Sequence, residues 1–565
     1  MAAVPKITRG AKRLLLSRSY STLSPLWKPD HVVTSPYKDV VIPDWTMNEH
    51  VWMNSGKWAN KTALICGVTN RSYTYNQLYK YSRTFAANLR TKLKVRTGDV
   101  ICVMMHNSPE YGVVVLGTFE AGAELTTVNP IYTAHELQRQ LILSKPKIVI
   151  GSTETAHVIK EAFKLTKQEL PLIVVTNNNN ALPHGTISFH ELAEEENVDF
   201  SVLKDAIRTA DDVALLPYSS GTTGLPKGVE LTHKNVVVNC VQQDSEGGKL
   251  YQDTTVSYQD SVVAVLPFYH IYGLCILMLH KLSVGAKIVT LPRFQPETFL
   301  SSLKNQKVSL LYAAPPMVLF LGAHATTTKE HLQSVDKIMC GAAPLPKKDV
   351  DRVLEKMNPS ANFIQLYGLT ETSPLVSAMA VGATNYTSVG FAMANTELKI
   401  VDSDLKHLGP NKVGELLIRG PQVMKGYRDN HEATKACISE DGWFRSGDFA
   451  FLDESGQVTI ADRLKELIKV KGYQVPPAEL ESVLKEHPAV LDAGVIGIPD
   501  ARTGEVPKAF VVLKEGHKEN KEDILDFVKE RVADFKRIKD ITFMDSLPKN
   551  PSGKLLRRVL KEKYC

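Results

Sequence analysis

Short apolar runs, each followed by a segment whose apolar positions recur every three or four residues, fill the first two thirds of the chain. The run VICVMMHN (Val100 to Asn107) leads into a helical period from Glu110 to Ala121, and KIVIGS (Lys147 to Ser152) leads into one from Ala156 to Leu165. Strands alternating with helices predict mostly parallel sheets covered on both faces. The longest apolar stretch, Val308 to Ala323, is interrupted by Pro315 and Pro316 and is too short to span a bilayer. It reads as a buried strand, a turn and a helix. The polar, Asn-rich stretch from Thr176 to Gly185 reads as a loop.

From Gly414 to Gly447 the pattern changes to short strands with turns, followed by the hairpin-like GQVTIADR and the charged segment KELIKVKGYQVPPAELE. Beyond it a compact α/β unit is predicted: helix Pro477 to Lys485, strand Val490 to Gly497, strand Lys508 to Lys514 and helix Lys521 to Ala533. The boundary between a large and a small unit is expected near Asp462 to Lys465. A chain of 565 residues exceeds what one core usually organises, in keeping with several units.

Composition narrows the class without naming it. Apolar content of 43% and charged content of 23% belong to a globular protein and exclude disordered or collagen-like classes. The net charge of +6 is concentrated at one end, where Lys6, Arg9, Lys12, Arg13 and Arg18 occur with no acid before Asp30. Without them the balance is about +1, so charge offers no argument for a nucleic-acid partner. That Ser-rich, acid-free stretch has the composition of a mitochondrial transit peptide over residues 1–20, with a matrix address expected and cytoplasm or peroxisome as alternatives. The seven cysteines show no CxxC spacing, which fits a reducing compartment without structural zinc.

The densest chemistry lies in YSSGTTGLPKG, Tyr218 to Gly228. Its hydroxyls, its lysine and the backbone left open by Gly221, Gly224 and Gly228 suit the oxygens of a polyphosphate. Pro226 before Lys227 and Gly228 after it exclude the Gly-Lys-Ser/Thr spacing of an ordinary P-loop. A strand from Val213 to Ser220 and a helix beginning near His233 are expected to flank it, the setting in which α/β proteins often hold phosphate.

Five further motifs follow in order: LPFYHIYG (266–273), CGAAPLP (340–346), QLYGLTET (365–372), GWFRSGD (442–448) and PKNPSGKLLRR (548–558). Together with the loop and ADRLKELIKVKGYQVPPAELE they resemble the adenylate-forming superfamily of acyl-CoA synthetases, coumarate-CoA ligases, luciferases and peptide-synthetase adenylation domains. The resemblance runs from about residue 45 to the C-terminus. It implies an α/β adenylation domain over 45–462, built of stacked α/β subdomains and a β-barrel-like subdomain, and a small mobile α+β domain over 463–565. It also implies a two-step reaction, in which a carboxylic acid and ATP give an acyl-adenylate and pyrophosphate, and the acyl group then passes to coenzyme A.

Site residues carry over position by position. Ser219, Ser220, Gly221, Thr222, Thr223 and Lys227 are expected on the triphosphate, and Glu371 on the Mg²⁺ bridging it, a hard cation that takes oxygen ligands. Ala342, Gln365 and Thr370 are expected near the base and α-phosphate, Asp448 on the ribose hydroxyls and Arg463 beside them. His270, Tyr272 and Leu366 fall in the acid pocket, and Arg293 at the coenzyme A phosphates. In the small domain the resemblance makes Lys554 the lysine of adenylation and Lys465 the hinge. Rotation about it would bring Lys469, Gly472 and Gln474 to the thiol-transfer site.

Leu366 stands where many relatives carry glycine. Its bulk at the acid pocket argues against a planar coumarate pocket or a luciferin, and with a matrix address favours a medium- or long-chain fatty acid. An aryl (coumarate-like) CoA ligase or a luciferase-like monooxygenase is the alternative reading. A non-enzymatic nucleotide-binding protein fits poorly, because Glu371 and the lysines are all present.

Overall fold

The strand Val100–Met104 is apolar at every position because both of its faces are covered, and it lies near the centre of a nine-stranded sheet. Its neighbours Glu124–Thr127 and Ile148–Ser152 run parallel to it. The computed structural model describes residues 26–176, 181–219, 226–341, 345, 347–463, 467–548, 555 and 557–564, with the backbone alone of Asp462, Arg463, Ala478 and Arg558. The expected transit segment therefore lies outside the described residues. So do Ser220, Gly221, Thr222, Thr223, Ala342, Lys465 and Lys554.

A second nine-stranded sheet has a parallel centre of Asn362–Gly368, Lys337–Cys340, Leu310–Ala313, Ser261–Ala264, Lys287–Thr290 and Thr62–Cys66. The two sheets share one continuous hydrophobic core, to which the helix Pro109–Glu120, buried almost all round, contributes Tyr111, Val113 to Leu116 and Phe119. The apolar run from Val308 forms the strand Leu310–Ala313 and the helix Pro315–Ala323, with proline at the first helical turn, where no amide hydrogen bond is lost. The antiparallel unit expected to be barrel-like is a six-stranded sheet, with the order Val33–Thr34, Glu397–Val401, Gly414–Arg419, Phe444–Leu452, Val458–Arg463 and with His407–Leu408 beside the second strand. The C-terminal unit has a sheet of five strands and its own core around Val495, Val511, Leu480 and Ile524. The helices Pro477–Lys485 and Lys521–Arg531 match the sequence reading closely.

The glycine-rich loop does not join a strand to a helix. Tyr218–Ser219 pairs antiparallel with Lys227–Thr232, with Ser219 opposite Lys227, so the loop caps a hairpin. The residues KGVELT extend as a strand. The helix His233–Asp244 starts only after Thr232, whose side chain accepts from the Asn235 amide in a capping box.

Two fully buried histidines make stability depend on pH. Burial pulls the pKa of His233 down to about 3 and that of His280 down to about 4, the latter despite a 2.9 Å contact to Asp244. Both are depressed below the unfolded value near 6.5, so between pH 6.5 and 4 the unfolded chain binds more protons and stability falls as pH falls. Each pH unit in that window costs up to about 1.4 kcal/mol per histidine. Thermal unfolding is expected at a lower midpoint at pH 5 than at pH 7.5; equal midpoints would show that these imidazoles do not govern acid stability.

Candidate active site

A cavity of about 860 Å³ opens where the parallel strands of both large sheets end. Its walls include Thr127, Tyr269, Arg293, Ala314, Gly341 and Leu366, which lie at or just beyond the carboxyl ends of their strands. That edge is where open α/β sheets place ligands, because the chain there is free of sheet pairing and can vary.

On one side of the cavity stands Glu371, in the short 3₁₀ turn Thr370–Thr372 that follows the strand Asn362–Gly368. The chain doubles back so tightly that a Cβ on Gly368 would lie 2.0 Å from the Pro374 carbonyl oxygen. The Glu371 carboxyl is buried; its Oε1 accepts from Ser219 Oγ at 2.7 Å and from the Tyr427 hydroxyl at 3.0 Å. Burial, and then the carboxylate, push the Tyr427 pKa up, so the phenol remains a donor. Among the described residues nothing donates to Oε2, which leaves an anionic oxygen at the cavity wall, suited to a hard cation. No cluster of three or more metal-ligating side chains occurs among the described residues. Lys227 lies nearby with its ammonium 5.0 Å from the Tyr427 ring centroid.

Asp448 is fully buried and borders the same cavity. The Tyr367 hydroxyl donates to its Oδ2 at 2.7 Å, and its own amide donates to Ser446 Oγ at 3.0 Å, which fixes the carboxylate against the wall. Register sets Arg463 opposite Asp448 on the next strand. Thr370 lines the cavity, whereas Gln365 does not: its buried amide donates to the Tyr386 and Leu345 carbonyls.

The acid side is built on an unusual element, a π-helix over Tyr272–Leu279, a wide turn often found at functional sites. Tyr272 packs edge-on to Tyr312 and donates to the Met339 carbonyl at 3.1 Å. His270 is exposed to the cavity, and partial loss of water to the protein packed around it lowers its pKa to about 4. The Tyr272 amide donates to His270 Nδ1 at 3.2 Å, so the neutral ring carries its proton on Nε2. An Nε2–H donor suits an incoming carboxylate. Arg293 is at the rim, more than half exposed and paired with Glu154 at 2.7 Å.

The C-terminal unit closes the cavity with a hairpin in which Ile468–Val470 pairs with Tyr473–Val475. Its two turn residues, Lys471 and Gly472, both have positive φ, 50° and 84°, as a type I′ turn requires. Gly472 is further constrained because a Cβ there would lie 2.6 Å from Pro316 of the large unit. Gly472 and Gln474 line the cavity. Lys469 does not: it is exposed on the strand, and the turn presents Lys471 instead. A buried triad joins the two units, in which Lys536 reaches Glu136 of the large unit and Glu479 of the small one, both at 2.7 Å. Burial works against the ammonium, but Glu479, Tyr132 and Glu136 outweigh it and hold its pKa well above normal. Sequence reasoning missed Tyr367, Tyr427, Lys471 and Lys536. The first sat unread within the YGLTE motif, and the others carry no motif that separates them from surface residues.

Residues 51–428 match the family of AMP-binding enzymes, and residues 479–554 match the AMP-binding enzyme C-terminal domain. The chain is similar to 4-coumarate–CoA ligase 3 of Oryza sativa subsp. japonica, at 38% identity over 542 residues that cover 94% of this chain and 95% of that one. It is equally similar to 4-coumarate–CoA ligase 1 of Arabidopsis thaliana, at 38% over 546 residues covering 95% and 96%. Among solved structures, o-succinylbenzoate CoA synthetase of Bacillus subtilis, bound to a product analogue, superposes with TM-score 0.76 at 28% identity and covers 92% of this chain and 99% of that one. ATP-bound MatB from Rhodopseudomonas palustris superposes with TM-score 0.65 at 27% identity, covering 92% and 99%.

Proposed function

The chain belongs to the AMP-binding enzymes as an AMP-forming acid–thiol ligase, and on that premise we propose that its acid is aromatic, of the arylpropenoate type, rather than a fatty acid. The observation that carries this reading is the closed floor of the acid side. Ile276, Leu366 and Leu375 line it there, and the small cavity that these three residues also border has a volume of about 10 Å³. An extended alkyl chain needs a tunnel, whereas a short, rigid ring fits a blind pocket. Leu366 therefore acts by shortening the pocket, which reverses the preference its bulk suggested from sequence. The relatives named as 4-coumarate–CoA ligases support the same reading.

In the first step a carboxylate oxygen of the acid forms a bond to the α-phosphorus of ATP, and the bond to pyrophosphate breaks. His270, as a neutral Nε2–H donor, orients the carboxylate. Lys227 offers positive charge to the triphosphate, with Ser220, Thr222 and Thr223 assigned to it by resemblance. Glu371 would hold Mg²⁺, which supplies charge neutralisation on the phosphates. Asp448 is suited to accept from the ribose hydroxyls. In the second step the thiol of coenzyme A releases its proton to solvent, its sulfur bonds to the acyl carbon, and the bond from that carbon to the AMP oxygen breaks. Gly472 and Gln474 at the wall, and the closer superposition on a synthetase holding a product analogue, support a domain arrangement suited to that step.

Thioester formation from cinnamate, 4-hydroxycinnamate, octanoate and laurate tests the assignment. Cinnamates are expected to exceed laurate in kcat/KM by roughly a hundredfold. Faster turnover of laurate would return the assignment to a fatty acid. Leu366→Gly is expected to narrow the gap by deepening the pocket.

A further inference from the structure

Behind the floor of the acid pocket lies a lysine to which the reaction assigns no task. Lys281 is in the short helix that continues the π-helix, is about 1% exposed, and borders the small cavity of about 10 Å³. Its ammonium is 4.6 Å from the Tyr251 ring centroid and 5.4 Å from that of Tyr312. Among the described residues it has no hydrogen-bond or ion-pair partner. The nearby carboxylates are engaged elsewhere. Asp244 accepts from the Tyr251 hydroxyl at 2.6 Å and from His280 Nε2 at 2.9 Å. Asp260 accepts from the Ser309 hydroxyl at 2.6 Å, the Tyr258 hydroxyl at 2.5 Å and the Gln252 amide at 2.8 Å.

A buried ammonium without an acceptor is costly, and two aromatic faces offset only part of that cost. The space it borders holds about one oxygen-sized group. That space shares Ile276, Leu366 and Leu375 with the main cavity, so it continues the line along which an acid would lie with its carboxylate at His270.

We propose that Lys281 is a specificity-determining residue which receives a hydroxyl at the end of the acid remote from its reacting carboxylate. The distal oxygen occupies the small cavity that Leu366 and Leu375 share with the main one, and one ammonium N–H donates to it. The size of the space selects a single oxygen over a second carboxylate. This inference rests on the aryl reading for the ring that spans the pocket, but the role of the lysine does not require a ring.

The test therefore uses two matched pairs, cinnamate against 4-hydroxycinnamate and octanoate against 8-hydroxyoctanoate. Thioester formation is measured for the unaltered enzyme, Lys281→Met and Lys281→Gln. The unaltered enzyme is expected to favour the hydroxylated member of the better-used pair by roughly tenfold or more, mainly through KM. Lys281→Met should bring that ratio close to one, and Lys281→Gln, which retains a donor, should keep part of it. Because each ratio is taken within one preparation, partial loss of folded protein cancels. A ratio in Lys281→Met equal to that of the unaltered enzyme, or no preference in the unaltered enzyme, would overturn the proposal. Preference for a hydroxyl in the aliphatic pair alone, lost in Lys281→Met, would uphold Lys281 while removing the aryl reading.

Discussion

Replacing Glu371 with glutamine is expected to slow pyrophosphate release by roughly 10²–10³-fold, the cost typical of removing one charge-stabilising group from a transition state. The fold should tolerate the change. Glutamine keeps the length of the side chain, and its carbonyl oxygen can still accept from Ser219 and Tyr427, now at 2.7 and 3.0 Å. What disappears is the negative charge at the cavity wall, and with it the hold on a divalent cation. Two measurements separate this from a packing defect: the thermal midpoint should stay within a few degrees, and the Mg²⁺ concentration for half-maximal rate should rise. A variant with an unchanged rate and unchanged Mg²⁺ dependence would remove Glu371 from the metal site.

Lys536→Met is expected to divide the two half-reactions. In the arrangement described, Lys536 neutralises Glu136 across the interface and Glu479 within its own unit, all three buried. Removing one partner of such a cluster leaves uncompensated charge and costs about 3–5 kcal/mol. If the small unit rotates between steps, that cost falls on the arrangement that joins the two units, so transfer from supplied acyl-adenylate to coenzyme A should drop by roughly a hundredfold or more. Pyrophosphate release should change by less than about threefold. Lys554→Ala is the converse, with adenylation lost and transfer from supplied adenylate retained. Equal loss of both half-reactions in both variants would show that the units do not exchange arrangements.

Much of this was legible in the chain itself. Consecutive apolar positions in VICVM and KIVIGS specify strands buried on both faces, and the small unit could be outlined helix by helix, because both signals are local. The motif residues Ser219, Glu371, His270 and Asp448 were identifiable for a different reason: their neighbours in sequence form combinations of low chance occurrence. The hairpin under the glycine-rich loop was misread as a strand–helix junction, since a six-residue segment with two apolar positions gives little period to read. That Lys471 faces the cavity could not be read locally, because only the type I′ turn, with both of its residues at positive φ, points it there.

By itself, then, the sequence determined the layered α/β architecture, the order of its units and the chemistry of an acid–thiol ligase. Each follows from local patterning or from short motifs whose residues act together. Tertiary structure decided what depends on distance across the chain. It gave Glu371 its donors Ser219 and Tyr427, set Lys536 between carboxylates 400 and 57 residues away, and placed Lys281 behind Leu366 without an acceptor. Such pairings arise only when the packing of separate elements fixes which polar groups lose water and which partners remain to replace it.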